Sequence, residues 1–362
     1  MWHCPFVDVF VWENVLKFAE VSSIMQFHVP YENRKVDFEA YLTEVLNHHF
    51  RETPYWRKKL SKKLVDEVVC SSFEETLYNL SKLEVDQNLL RTRWMDFKPK
   101  SLRNVKCSFS SSTTGPQKYC LWSEDYAQKQ AEYIHYYVEK MGVKVKNAVI
   151  QGPTSVYKDV NERVIQLFGG IPYFVGLRVE GLKPIIEDAA RKGPEEMMKV
   201  VKEYFAPEIE KTRRFLENDD EINFMRSAWM MLAPFEAFFG DKGNIEAVMT
   251  SGLGYSVENH EFLKQKFRHV IPSYGYFAFG DALGRYFNGN LDYYPAFPYA
   301  AFTVVKEDGE IAKNGEKGKP LFITARKDLF LVLKENNEYT EKAPPTENQP
   351  WNGIRNPQRK LA

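Results

Sequence analysis

Ser110-Ser111-Ser112-Thr113-Thr114-Gly115-Pro116-Gln117-Lys118 holds more potential chemistry than any other segment of this chain. Small hydroxyl residues and glycine cannot pack a core. They can turn backbone N–H groups and hydroxyls toward one anion, as a phosphate cradle does. Lys118 at the far end can add a charge-assisted contact. The segment is not a Walker loop, because GxxxxGK[ST] is absent. A polar linker is the bland alternative, and for the segment taken alone it is the favoured one.

Other reactive residue types form weaker patterns. His48 and His49 are adjacent, so on a helix they point apart and suit the surface better than a metal. His135, His260 and His269 lack an HxxxH or HxxEH partner, which argues against zinc. Cys4, Cys70, Cys107 and Cys120 show no CxxC spacing and no disulfide framework. Cys107 and Cys120 flank the hydroxyl-rich loop and read as strand thiols. No GxSxG elbow supports a hydrolase. The Tyr and Phe residues between 274 and 299 suit an acyl pocket and a core equally well.

These residues must be held by elements that the pattern predicts. Residues 1–100 read mostly as a helical N-terminal segment, including an apolar stripe over 37–46 and a basic helix over 54–67. From Lys106 a strand, the loop and a second strand follow. Ser123-Glu124-Asp125 caps a helix to about Met141. Strand 147–150, helix 159–168 and strand 171–175 continue the alternation. Residues 194–240 read as helix, 245–250 as a strand ending at Ser251-Gly252-Leu253-Gly254, and 257–267 as helix. Such alternation predicts an α/β fold of layered, mostly parallel sheet flanked by helices. Asp308-Gly309 and Asn314-Gly315 between apolar runs predict a β-hairpin region over 301–324. Pro344, Pro345, Pro350 and Pro357 predict an irregular tail over 326–362, leaving 101–325 as the α/β core.

The composition sets bounds. Of 362 residues, 49 are Lys or Arg and 49 are Asp or Glu, and this balance excludes a strongly basic nucleic-acid binder. At 44% apolar and 27% charged, the chain can bury a core. Asp8 and Glu13 interrupt the apolar N-terminal stretch, which lacks a basic n-region, so neither a secretory signal nor a membrane helix is expected. The cytoplasm is the default compartment.

Residues 110–118 resemble the [ST]-S-G-T-T-G-x-x-K phosphate signature of the adenylate-forming superfamily, which includes the acyl-CoA synthetases. Val248-Met249-Thr250-Ser251-Gly252-Leu253-Gly254 resembles the strand and turn facing adenine in that family. Pro272-Ser273-Tyr274-Gly275-Tyr276 resembles its Tyr-Gly segment. Gly315-Glu316-Lys317-Gly318-Lys319-Pro320 resembles its G-E-x-G-E-P stretch. Phe50 to Leu60, Lys140 to Val143 and Leu167 to Tyr173 are similar to text of the phenylacetate–CoA ligase branch. The resemblance spans roughly residues 45–325 in consistent order.

It implies the fold of that family's large N-terminal domain and ATP-dependent activation of a small carboxylic acid to an acyl-adenylate, with CoA as the following acceptor. ATP or AMP, Mg²⁺ and CoA are the implied cofactors. By the same resemblance, Ser110, Ser111, Ser112, Thr113, Thr114, Gly115 and Lys118 hold phosphates. Gly252, Leu253, Gly254, Tyr274, Gly275 and Tyr276 frame the adenine. There are departures. Ser112 stands where the family has glycine, and Ala278 where it has a Mg²⁺-binding glutamate. Asp281 is the nearby carboxylate expected as metal ligand, and with Lys118 it makes the expected catalytic pair. The family's ribose-binding Y-x-T-G-D has no match after Thr324; Asp328 and Tyr339-Thr340-Glu341 are nearest. The chain reaches Ala362 without the family's C-terminal lid and its lysine, so a separate lid-bearing protein is an expected partner. Losing such a lysine and glutamate weakens the electrostatic support of the transition state. A non-catalytic nucleotide- or acyl-binding scaffold is therefore the alternative reading. An acyl-protein synthetase is a further one, ranked lower because no cysteine follows Cys120. The sequence leaves a homo-oligomer open and points to neither nucleic acid nor membrane.

Overall fold

Ala148 and Ile150 point to one face of the strand Asn147–Gly152, and Val149 points to the other. The same period-2 alternation recurs at Phe224 and Met225, and at Met249 and Val248. A strand apolar on both faces needs cover on both, and helices supply it. Helices Glu124–Lys140 and Val156–Leu167 cover one face. Helices Pro194–Tyr204, Ala206–Asn218 and Phe235–Phe239 cover the other. The computed structural model describes residues 25–359 apart from 71, 111–116, 178–184, 186–187, 190, 242 and 253.

The main sheet has 12 strands. Its parallel half runs Pro172–Gly176, Asn147–Gly152, Ile222–Ala228, Ala247–Ser251, His269–Tyr276. At Tyr276 the chain turns back, and Gly280–Phe287 pairs antiparallel with the strand it has just left. Asn290–Tyr294, Gly353–Arg359, Glu338–Ala343, Lys317–Ala325 and Ala300–Val305 extend this antiparallel half. Phe330–Lys334 pairs with Lys317–Ala325 off the main path. A separate hairpin joins Val105–Phe109 to Tyr119–Ser123.

The α/β layering is as the pattern predicts, and so is the helix capped by Ser123, whose Oγ accepts from the Tyr126 N–H at 3.1 Å. The hairpin over 301–324 is also present. Three expectations are corrected. Residues 26–37 form a short β-hairpin before the first helix, Phe38–Glu52, and the N-terminal residues 1–24 lie outside the described residues. Residues 222–228, read as helix, form a central parallel strand. Asn223 and Arg226 interrupt its apolar run and hide the strand signal. The tail over 326–362 is not irregular: Phe330–Lys334, Glu338–Ala343 and Gly353–Arg359 are strands of the sheet. Pro344, Pro345 and Pro350 fall in the connection between strands. Pro357 sits in a bulge, where Asn356 has φ 46° and the register skips between Tyr339 and Glu341, so its missing N–H breaks no ladder bond.

The N-terminal helices dock onto the antiparallel half through buried polar tips. Trp56 Nε1 donates to the Phe330 carbonyl at 2.8 Å. His49, expected at the surface, is fully buried. Its Nε2 lies 2.6 Å from the Arg326 carbonyl and must carry the ring proton, because a carbonyl can only accept. Nδ1 then accepts from the Thr53 hydroxyl at 2.7 Å. Burial lowers the His49 pKa from 6.5 to about 3. The unfolded chain binds this proton below about pH 6.5, and the folded chain only near pH 3. Stability from this group is therefore complete above about pH 6.5 and falls as the pH drops, by at most about 1.4 kcal/mol per pH unit. His49→Gln should flatten the pH dependence of the urea midpoint between pH 6 and pH 4, by up to about one proton's worth. An unchanged slope would show that the buried imidazole does not titrate as argued.

Candidate active site

The parallel strands end on one side of the sheet, where α/β folds leave a crevice. A cavity of about 650 Å³ lies there. Pro153 and Ser155 follow one strand end, Ser251 and Gly252 close a second, and Ser273 to Phe277 close a third. The hairpin 105–123 forms another wall with Ser108, Phe109, Ser110, Lys118 and Trp122. Glu335, Glu338 and Gln358 come from the segment read as tail.

The hairpin is tied to the sheet by specific bonds. Ser108 Oγ donates to the Phe277 carbonyl at 2.5 Å, and Trp122 Nε1 donates to Ser108 Oγ at 2.9 Å. At the loop stem, Ser110 N–H donates to the Lys118 carbonyl at 2.9 Å, and Lys118 N–H donates to Ser110 Oγ at 3.0 Å. Ser110 thus closes the stem. Ser111, Ser112, Thr113, Thr114 and Gly115 lie outside the described residues, as does Leu253. The Lys118 ammonium is buried, bonded to Gln87 Oε1 and 5.6 Å from the centre of the Phe277 ring. Gln87 is itself fixed by donating to the Lys334 carbonyl at 2.7 Å.

Gly252 (φ 121°) and Gly254 (φ 73°) make the turn after Ala247–Ser251 in backbone regions that side chains disfavour. The Tyr255 hydroxyl beyond it meets His260 Nδ1 at 2.8 Å. Burial lowers the His260 pKa to about 4, with Lys264 adding to the effect, so the ring is neutral at pH 7. Gly275 is exposed to the cavity between half-buried Tyr274 and Tyr276. The Tyr274 hydroxyl donates to Glu338 at 2.5 Å and that of Tyr276 to Glu335 at 3.3 Å. Burial, then the nearby glutamates, raises both phenols well above 10. Their rings pack with Phe279 and Phe322, so much of the aromatic crowd is core.

Asp281 reaches the cavity wall, where its partner is an arginine. Its Oδ1 lies 2.6 Å from Arg226 Nη2, and both side chains are buried. Burial opposes the Arg226 charge, yet Asp281 and Tyr157 raise its pKa above the usual value. Arg226 also bonds Asn161 Oδ1 and stacks 4.5 Å from the Tyr157 ring centre. Magnesium requires several oxygen donors. Among the described residues no three His, Cys, Asp or Glu side chains gather to hold a cation. Each of the three lining carboxylates already has a partner, Asp281 an arginine and Glu335 and Glu338 tyrosines, so this donor set suits Mg²⁺ poorly. Ala278 is fully buried.

The remaining sequence candidates lie away from the cavity. Asp328 pairs with Arg326 at 2.9 Å and accepts from the Ser123 N–H at 2.6 Å, a structural role. Tyr339 bonds Glu307 at the surface. Glu341 faces Lys317. Cys107 and Cys120 sit on paired strands, and burial pushes both thiols up, away from reactivity. The sequence reading missed Arg226, Tyr157, Gln130, Glu335 and Glu338. An arginine amid an apolar run was the one signal for the first; the glutamates had none.

No family model matches the sequence, and no curated protein matches it. Solved structures do share its fold. An open conformation of 2-hydroxyisobutyryl-CoA ligase, in complex with 2-HIB-AMP and CoA, aligns with a TM-score of 0.56 at 12% identity, over 88% of this chain and 72% of that one. The same ligase in its postadenylation state with R3-HIB-AMP aligns with a TM-score of 0.59 at 11% identity, over 89% and 66%. Its thioesterification state aligns with a TM-score of 0.57, again at 11% identity. This chain thus spans about two thirds of the length of those structures. Its α/β fold matches the large N-terminal domain of adenylate-forming enzymes.

Arg226 and Asp281 test the energetics of the wall. Arg226→Met should lower unfolding stability by about 3–5 kcal/mol, because it strands a buried carboxylate. Urea denaturation measures this, and a loss below about 1 kcal/mol would mean that the pair is solvated.

Proposed function

We propose that this chain activates a small carboxylic acid with ATP, as phenylacetate–CoA ligases do. A carboxylate oxygen attacks the α-phosphorus, the bond to the β-phosphate oxygen breaks, and pyrophosphate leaves with that electron pair. The acyl-adenylate then passes its acyl group to the thiol of CoA. One observation carries the reading. The loop stem at Ser110 and Lys118, the turn at Gly252 and Gly254, and the Tyr274–Tyr276 strand end all border a single cavity. These are the segments that the sequence resemblance assigns to phosphate and adenine. The fold matches acid–CoA ligases.

Charge orients a nucleotide in this cavity. Glu335 and Glu338 are buried acceptors that repel phosphate and suit sugar hydroxyls or an exocyclic amine. Lys118 is the lining cation, so the phosphates belong at its end, beside the loop 111–116. Binding without turnover is the second reading. It is favoured by the engagement of Asp281 with Arg226 in place of a metal. A lid carried by a separate protein would reconcile binding with catalysis.

Pyrophosphate exchange by the purified chain over a panel of acids separates the readings. Exchange supports activation; ATP binding without exchange, with every acid, supports the scaffold. Thr114→Val should weaken ATP binding about three- to tenfold, the scale of one hydrogen bond, and leave the thermal midpoint within about 1 °C. Calorimetry checks it, and identical affinities would remove the loop from the phosphate site.

A further inference from the structure

Asp281 lines the cavity beside polar groups that are already engaged. The Tyr157 hydroxyl donates to the Gln151 carbonyl at 3.0 Å. Trp122 Nε1 is held by Ser108. Gln130 donates to the Asp281 carbonyl at 2.7 Å and accepts from the Tyr126 hydroxyl at 3.1 Å. Gly280 (φ 89°) brings the backbone so close that a Cβ would lie 2.8 Å from Trp122. Val156 and Val160 are apolar and buried. Asp281 differs from these neighbours. Its side chain is 8% exposed and forms part of the cavity wall. Oδ1 meets Arg226 at 2.6 Å, and the side chain still lines the cavity.

We propose that this end of the cavity selects an acid carrying an uncharged hydrogen-bond donor, a hydroxyl or phenol, remote from its carboxylate, and that Asp281 reads that donor. The proposal rests on the acid-activation reading and names its substrate class. A carboxylate oxygen at a cavity wall accepts a ligand hydroxyl in place of water, and a hydrogen bond to a charged group is stronger than one between neutral groups. Arg226 already neutralises Asp281, so an ammonium would bring a second cation to a balanced pair and lose its own hydration without a counter-charge. A substrate carboxylate gains no attraction from this balanced pair and is favoured near the Lys118 ammonium. The acid therefore lies with its carboxylate toward the loop stem and its hydroxyl toward Asp281. The aromatic and branched side chains between give an apolar body its contacts.

The test is calorimetric titration of the whole chain with phenylacetate, its ring-hydroxylated analogue and its ring-aminomethylated analogue, with ATP titrated in parallel. The hydroxylated acid should bind roughly ten- to a hundredfold tighter than its parent, the range for a hydrogen bond to a charged group. Asp281→Asn alone strands Arg226, so the double variant Asp281→Asn with Arg226→Gln removes both charges together. In it the hydroxyl preference should disappear while the parent acid still binds. Equal affinities in the wild type, a preference for the ammonium, no binding of any acid, or a preference surviving in the double variant would each overturn the proposal. ATP binding with no acid preference overturns this inference and leaves the activation reading standing. Hydroxyl preference without ATP binding does the reverse.

Discussion

The contact between Arg226 and Asp281 sets what the cavity can be. Arg226 stands on a parallel strand and Asp281 on the first antiparallel one, so the pair links the two halves of the sheet across the two strands between them. Neither charge could stay buried without the other. Their mutual neutralisation lets the wall contain a carboxylate while remaining nearly neutral in the field it presents. It also settles a competition: a carboxylate committed to a guanidinium is a poor ligand for a cation. The same contact that stabilises the wall engages one Asp281 oxygen while the side chain still lines the cavity.

The other walls follow from strand ends and tethers. A parallel sheet with helices on both faces leaves its strand ends as the open side. Ser251, Gly252 and Tyr274 to Tyr276 reach the cavity because their strands stop there. The hairpin 105–123 is not part of that sheet, so it needs separate anchoring. Ser108 and Trp122 provide it by converging on the Phe277 carbonyl. Gln87 and the Ser110–Lys118 bonds then hold the loop stem.

Legibility in the sequence varied with the range of the interaction. Helix Glu124–Lys140 was readable because Ser123 and its acidic first turn are local signals. The turn at Gly252 and Gly254 was readable because glycines there restrict the backbone directly. Strand 222–228 was not, because its polar residues make sense only against Asp281 and Asn161, more than fifty positions away in sequence. Strand 353–359 was hidden by Pro357, which the bulge accommodates. Without that strand in the sheet, Glu335 and Glu338 had no reason to be near Tyr274 and Tyr276. His49 was misplaced for a similar reason: its partner is the Arg326 carbonyl, 277 residues distant.

The distribution of charge around the cavity bears on catalysis as well as binding. Asp281, Glu335 and Glu338 line it, against the single lining cation Lys118 among the described residues. Arg226 cancels the first carboxylate from behind. The two glutamates accept from tyrosines, which spread their charge but do not remove it. A triphosphate entering here gains attraction at the Lys118 end alone. The transition state of adenylation carries still more negative charge on the phosphates than the ground state does. Its stabilisation must then come from donors of the 111–116 loop, from a bound cation held by phosphate oxygens, or from a partner's lysine. On the reading proposed above, a hydroxylated acid would gain its affinity on Asp281, away from the reacting phosphorus. Such binding is uniform between ground and transition states, so it selects the substrate without accelerating its activation. On the proposed reading, specificity and rate are therefore separable in this cavity, the first assigned to the Arg226–Asp281 wall and the second to whatever completes the phosphate end.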